Sequence, residues 1–245
     1  MPNRFGALLL ALFLSANAAA APVQELTLKA VDGVTVYGKL YSAAHPKAII
    51  LLFHQAGSNT AEYAPIAPKL VEMGYSALAI DQRSGGNMFD ATNRTVKQLG
   101  RSTDYLDAEK DLEAAFAYAK EQHLPVVLWG SSYSSSLVFL VAAKYPGEVK
   151  ALLSFSPGEY LGSPDMVKKA AAQDKLPIFV TQAKEDEEID KAKAIVSASP
   201  STFKVQFLPK MGGVHGSSTL RADRDPKGLA ENWQAVTAFL DKVFQ

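Results

Sequence analysis

Apolar positions follow two patterns along the chain, and each pattern predicts a different kind of strand. Over residues 26–28 and 34–40 apolar and polar side chains alternate, which is typical of strands with one face open to water. Asp32-Gly33, a favoured hairpin turn, lies between these two segments. Continuous apolar runs come next and predict buried parallel strands at residues 48–53, 76–80, 126–129, 149–155, 178–181 and 203–208.

Between the apolar runs, apolar side chains recur at the spacing of amphipathic helices. The predicted helices cover residues 62–73, 106–122, 134–144, 189–197 and 229–243. Strands that alternate with helices predict an α/β fold, with a mostly parallel sheet, helices on both faces and an antiparallel N-terminal hairpin. Because no linker rich in Gly, Pro or Ser divides the chain, we expect a single domain over residues 21–245.

The first twenty residues do not fit this domain. Arg4 is followed by a short apolar stretch at residues 7–14 and by a run of small residues that ends at Ala21. This order predicts a secretory signal peptide over residues 1–20, cut after Ala20. We therefore expect a periplasmic or secreted protein without stable membrane association after cleavage. A retained membrane anchor is the alternative interpretation.

Composition and charge narrow the range of partners. The chain has 25 basic and 25 acidic residues, so no net charge attracts nucleic acid, and a small neutral molecule is the expected partner. It contains no cysteine, which excludes disulfides and thiol catalysis. No glycine-rich segment has the spacing of a dinucleotide or phosphate loop, and we expect neither cofactor nor metal. The oligomeric state is not readable from the sequence.

A serine motif follows the predicted strand at residues 126–129. In parallel α/β sheets ligands bind beyond the carboxyl ends of the strands, so residues at these ends are the candidates for function. The segment Gly130-Ser131-Ser132-Tyr133-Ser134 is close to G-x-S-x-G, the turn that presents a nucleophilic serine between a strand and a helix. Ser134 replaces the second glycine. A serine-rich helix cap is the alternative interpretation.

An acidic segment and a histidine loop follow the next two strands. Asp186 could orient a histidine, although the acidic first turn of a helix explains the same residue. His215 lies in a glycine-rich loop, with room to reach a neighbouring serine. Serine, acid and histidine in this chain order are typical of one class of catalytic triad. Three neighbouring carboxylates remain alternatives for the acid: Glu185, Glu187 and Glu188.

The chain resembles the α/β-hydrolase superfamily over almost its whole mature length, and is most similar to the small dienelactone-hydrolase-like members. The segments that carry the resemblance are Phe53-His54-Gln55-Ala56-Gly57, Asp81-Gln82-Arg83-Ser84-Gly85-Gly86, the serine motif, Glu185-Asp186 and Gly213-Val214-His215-Gly216. The resemblance implies Ser132 as nucleophile, His215 as base, Asp186 as acid, and the N–H groups of Gln55 and Tyr133 as oxyanion hole. Dienelactone hydrolases proper use a cysteine, which this chain lacks.

These residues predict a serine hydrolase that cleaves ester-like bonds through an acyl-enzyme. Only about twenty residues, 157–176, separate two successive strands, which is too few for a large cap. We expect a fairly open site with Met88, Phe89 and Tyr160 as pocket residues. Two alternatives remain: a peptidase or amidase with the same triad, and a non-catalytic periplasmic binding protein with a degraded site.

Overall fold

One eight-stranded sheet organises residues 23–245, the part of the chain that the computed structural model describes. Its strands are β1 (Gln24–Lys29), β2 (Thr35–Tyr41), β3 (Ile49–Phe53), β4 (Ser76–Asp81), β5 (Val126–Ser131), β6 (Val149–Phe155), β7 (Ile178–Thr181) and β8 (Lys204–Phe207). They lie in the order β1-β2-β4-β3-β5-β6-β7-β8, and β2 pairs antiparallel with β1 and β4 while the other pairs are parallel. The predicted signal peptide lies outside the described residues, and export stays a prediction.

Seven α-helices and three short 3₁₀ turns connect the strands in the described residues. The helices are α1 (Ala67–Glu72), α2 (Arg94–Leu99), α3 (Glu109–Glu121), α4 (Tyr133–Lys144), α5 (Met166–Ala171), α6 (Asp186–Ala198) and α7 (Leu229–Val243). The 3₁₀ turns are Thr60–Tyr63, Tyr105–Ala108 and Gly216–Leu220. The helix predicted at residues 62–73 is divided in two, because a proline such as Pro65 has no N–H to donate within a helix. None of the described helices is both long and apolar enough to cross a membrane.

The two faces of the sheet are covered by different helices. Alternate residues of β3 belong to two separate apolar clusters, Ile49 to one and Ile50 to the other. The first cluster contains side chains of α3, α4, α5 and α6, whereas the second contains side chains of α1 and α7. Every residue of β3, β4 and β5 is therefore buried, as the continuous apolar runs predict. The α/β fold class is confirmed.

The segment after β4 has a structural role. Arg83 is almost fully buried and donates three hydrogen bonds to Asp111 of α3, from its backbone N–H, Nε and Nη2. Its Nη1 also lies 2.6 Å from the carboxylate of Asp32 in the β1–β2 turn. A buried guanidinium requires such partners. Arg83 thus connects the β1–β2 hairpin to helix α3.

Candidate active site

Ser132 occupies a strained turn between β5 and α4. Its φ of 58° and ψ of −125° lie in a region that side-chain-bearing residues rarely adopt. Its N–H donates to the carbonyl of Phe155 at the end of β6, at 2.8 Å. A Cβ on Gly130 would lie 2.3 Å from the carbonyl oxygen of Ser134, so glycine is required there. The strand and helix therefore approach closely and leave the hydroxyl of Ser132 partly exposed.

Ser134, which replaces the second glycine of the motif, is fully buried and hydrogen-bonded. Its hydroxyl oxygen accepts the N–H of Ser131 at 2.9 Å. The same oxygen lies 2.7 Å from the carbonyl of Phe53, to which its proton can be donated. The side chain of Ser134 thus links β3 to the turn after β5. The glycine that usually occupies this position has no side chain and could not make this link.

The histidine loop brings an imidazole to this serine. The distance from Ser132 Oγ to His215 Nε2 is 2.8 Å. The loop is held in place by the N–H of Gly216, which donates to Ser156 Oγ at 2.9 Å, and by the N–H of Ser217, which donates to Ser131 Oγ at 2.8 Å. A Cβ on Gly216 would lie only 2.5 Å from Ser131 Oγ. Glycine at this position allows the loop to lie against the serine turn.

The carboxylate beside His215 belongs to Glu188, and this corrects the prediction of Asp186. Glu188 Oε1 lies 2.6 Å from His215 Nδ1, whereas Asp186 is exposed at the first residue of α6. Side chains two residues apart on a helix point about 200° away from each other. When Glu188 faces the sheet, Asp186 must face solvent. Because the sequence predicts this helix to start at residue 189, it gave no indication that Asp186 and Glu188 lie on opposite sides of one helix.

The surroundings of Glu188 favour its ionised form. Burial by itself would raise its pKa, but hydrogen bonds from His215 and Ser156, together with the N–H of Ala183, lower the pKa to about 2. Ser156, which directly follows β6 and has a φ of 59°, was not predicted as a site residue. Sequence spacing could have indicated Glu188, since Ala192 and Ile195, four and seven residues later, are the buried face of α6.

The predicted oxyanion donor Gln55 is also corrected. Its N–H donates to the buried carboxylate of Glu62 at 2.9 Å and is therefore not free. The next N–H, that of Ala56, makes no hydrogen bond to any described residue. Phe53 of β3 pairs with Gly130 of β5, so Ala56 and Tyr133 each follow this pair by three residues. The N–H of Tyr133, at the first turn of α4, has no intrahelical acceptor.

The three predicted pocket residues lie in different surroundings. Met88 is partly exposed and close to Gly57, because a Cβ added there would lie 4.0 Å from Met88 Sδ. The centre of the Phe89 ring lies 4.2 Å from the guanidinium carbon of Arg221 and 5.1 Å from that of Arg224. The hydroxyl of Tyr160 donates to the carbonyl of Ser156 at 3.3 Å. A substrate-binding role for these residues stays a prediction.

The buried side chain of Tyr133 lies outside this arrangement. Its hydroxyl contacts Gln82 at 2.8 Å and Ser84 at 3.0 Å, and its ring stacks on that of Tyr105. Only the backbone of Tyr133 can therefore face the serine. In the described part of the chain, no three His, Asp or Glu side chains are grouped as metal ligands.

A serine hydroxyl, an imidazole and a carboxylate lie in hydrogen-bond contact at the carboxyl ends of this sheet, and with the strand order they define an α/β hydrolase. Comparison with known families is consistent with this class. Residues 44–169 match the family described as "Serine aminopeptidase, S33". Because the match covers half of the chain, this protein belongs to that family and is a hydrolase.

Individual relatives are distant. A protein of Aquifex aeolicus (strain VF5) assigned as a carboxymethylenebutenolidase is 25% identical over 226 residues, covering 85% of this chain and 94% of the relative. A thermostable carboxyl esterase from Bacillus coagulans has a TM-score of 0.71 at 14% identity, covering 92% of this chain and 100% of the esterase. A dienelactone hydrolase from Anabaena variabilis has a TM-score of 0.65 at 19% identity, covering 90% and 98%. At these identities the solved structures indicate the shared fold.

Proposed function

We propose that this protein hydrolyses carboxylic esters of small molecules through an acyl-enzyme formed on Ser132. The observation that carries the proposal is the 2.8 Å contact between Ser132 Oγ and His215 Nε2. In this mechanism the imidazole removes the proton of the hydroxyl as the oxygen attacks the ester carbonyl. The protonated imidazole then donates to the leaving alcohol. A water molecule activated by the same imidazole hydrolyses the acyl-enzyme.

Glu188 is the proposed acid of the triad. Its carboxylate accepts the Nδ1 proton of His215, which leaves Nε2 free to accept the proton of the serine. A carboxylate whose pKa is about 2 is fully ionised at neutral pH and stabilises the imidazolium that forms during attack. The half-buried position of Glu188 strengthens this electrostatic effect relative to an exposed carboxylate such as Asp186.

The proposed oxyanion hole consists of the N–H groups of Ala56 and Tyr133. The register of β3 and β5 supports this pair, because both residues lie three positions beyond paired strand residues. The position of Tyr133 at the N-terminus of α4 adds the partial positive charge of the helix. Each such donor typically contributes about 2.7–4 kcal/mol to stabilisation of the tetrahedral intermediate.

The substrate we propose is a small, neutral ester. The segment between β6 and β7 contains one helix of six residues, α5, so it adds no large lid over the serine. The chain carries no net charge that would attract a strongly charged substrate. The carboxyl esterase and dienelactone hydrolase structures named above share the fold, and their names are consistent with ester or lactone chemistry in this fold.

The test is labelling of purified protein with a fluorophosphonate, followed by hydrolysis assays. We expect stoichiometric labelling of the wild type, loss of labelling in Ser132→Ala and normal labelling in the matched control Ser102→Ala, which changes an exposed serine. p-Nitrophenyl acetate and butyrate should be hydrolysed much faster than aminoacyl p-nitroanilides. Faster anilide cleavage would assign a peptidase, and labelling that persists in Ser132→Ala would overturn the proposed nucleophile.

A further inference from the structure

A buried carboxyl group that takes no part in the triad lies beneath the loop after β3. Glu62, in the 3₁₀ turn Thr60–Tyr63, has no exposed surface. We propose that Glu62 is a positioning residue that orients the Gln55–Ala56 peptide and thereby aims the Ala56 N–H at the developing oxyanion. This inference rests on the proposed ester hydrolysis and extends it to a residue outside the triad.

Glu62 holds Gln55 through its N–H, one peptide unit before the Gln55–Ala56 peptide. Its Oε2 accepts the N–H of Gln55 at 2.9 Å. The backbone of Glu62 is fixed in turn by Arg221, whose Nη1 donates to the carbonyl oxygens of Ala61 and Glu62 at 2.9 and 2.8 Å. A side chain that is buried and anchored in this way has little freedom to follow a moving loop.

His54 holds the same residue from its carbonyl side. The imidazole Nε2 accepts the N–H of Gln82 at 2.9 Å, so the ring proton resides on Nδ1 and is donated to the carbonyl of Gln55 at 2.8 Å. The N–H of Ser58 donates to this carbonyl as well, at 3.2 Å. In a planar trans peptide the carbonyl of Gln55 and the N–H of Ala56 point in opposite directions. Fixing the carbonyl therefore fixes the direction of the N–H.

The carboxyl group of Glu62 also lies close to the serine turn. Oε1 is buried without a hydrogen-bond partner in residues 23–245. Burial raises the pKa of Glu62, and the nearby hydroxyl of Ser131 opposes this rise. Ser131 precedes Ser132 and accepts the N–H of Ser217 in the histidine loop. Glu62 thus lies where the oxyanion loop, the serine turn and the histidine loop meet.

Two substitutions separate the positioning role from simple burial. Glu62→Gln keeps an oxygen that can accept the N–H of Gln55, whereas Glu62→Met keeps the volume and removes the acceptor. A displacement of about 1 Å at a catalytic group can cost about 100-fold in rate. We therefore expect Glu62→Met to lower kcat for p-nitrophenyl butyrate about 10- to 100-fold with KM nearly unchanged, and Glu62→Gln to stay within about threefold of the wild type.

Inhibitor binding gives a second test, because a general loss of packing would weaken two matched inhibitors equally, whereas a misplaced oxyanion donor would weaken only the one that forms an oxyanion. A trifluoromethyl ketone forms a tetrahedral oxyanion on the serine, and the matching unfluorinated ketone hardly does so. We expect Glu62→Met to weaken the fluorinated inhibitor by the same factor as kcat/KM, with the plain ketone unaffected. If Glu62→Met does not fold, Glu62→Asp, which shortens the side chain and keeps the carboxylate, takes its place with the same expectation.

The outcomes distinguish this inference from the proposed function. If the wild type neither reacts with fluorophosphonate nor hydrolyses esters, the proposed function itself fails. If the wild type does both and the folded Glu62→Met or Glu62→Asp variant matches it in kcat and in inhibitor affinity, only the role of Glu62 is refuted. Equal losses in kcat for Glu62→Gln and Glu62→Met would likewise refute positioning through an accepted hydrogen bond.

Discussion

Asp186 and Glu188 are two residues apart on α6, and their surroundings predict opposite consequences of substitution. Glu188 contacts His215 at 2.6 Å, whereas Asp186 is exposed. Removing the charge of a triad acid with its shape preserved lowers kcat by about 10⁴ in a well-studied serine protease. We expect Glu188→Gln to lower kcat/KM for p-nitrophenyl butyrate about 10²- to 10⁴-fold, and the matched Asp186→Asn to leave it within about twofold.

Steady-state kinetics on the two purified variants decides this prediction. Equal activity of Glu188→Gln and the wild type would show that the contact with His215 is not used in catalysis. A large loss in Asp186→Asn instead would restore the original assignment of the acid.

The sequence located two of the three side chains in this contact because strand ends and glycines mark them. Ser132 follows a strand within a small-residue turn, and His215 is surrounded by glycines that permit close approach. The acid has no such marker, because Glu188 is the last of four consecutive acidic residues at positions 185–188. Gln55 was misassigned for a different reason: its N–H is used by Glu62, seven residues later, and no sequence pattern indicates that bond.

At the scale of secondary structure, the central buried strands were predictable and short helices were not. The strand predicted as buried at residues 203–208 is instead the edge strand β8, whose residues are all at least partly exposed. Strands β3, β4 and β5 are covered on both faces, so both inward- and outward-facing side chains are buried. Their sequences are therefore continuous apolar runs, which can be recognised without the structure. Helices α2 and α5 have only six residues each, too few for a periodic pattern. The helix α2 buries a single side chain, Thr95, and is started by Asn93, whose side chain accepts the N–H of Val96.

The turn between β5 and α4 is expected to depend on Ser134. Substitution by alanine leaves the N–H of Ser131 without its acceptor and removes the link to the carbonyl of Phe53. An unsatisfied buried donor costs about 1–3 kcal/mol, so we expect Ser134→Ala to lower the free energy of unfolding by that amount. Urea denaturation measures the change. The control is Ser197→Ala, which changes an exposed serine of α6 and should leave the free energy of unfolding within about 0.5 kcal/mol of the wild type. A change as small as this in Ser134→Ala would contradict the prediction.

At the scale of the whole molecule, one carboxyl group should make stability depend on pH. Asp174 precedes β7 at the end of the sheet opposite Ser132, beside a cavity of about 700 Å³, and is almost completely buried. Burial raises its pKa from 3.8 to about 8. Between about pH 4 and 8 the unfolded chain therefore loses this proton and the folded chain keeps it, so stability falls as the pH rises.

Asp174→Asn removes this ionisation. We expect the Tm of the variant minus that of the wild type to increase from pH 4 to pH 8 and to remain constant above pH 8. Thermal unfolding monitored by circular dichroism gives the comparison, with the exposed Asp190→Asn as control. A difference that does not vary with pH would contradict the raised pKa of Asp174.

The order of the triad along the chain has a consequence for synthesis. The three side chains follow β5, β7 and β8, and His215 comes 83 residues after Ser132 in the chain. A ribosome synthesises the chain from its N-terminus, so the nucleophile Ser132 is translated before its base His215. A growing chain that has not reached His215 therefore carries an inert hydroxyl, and the activity proposed here requires synthesis to have passed residue 215.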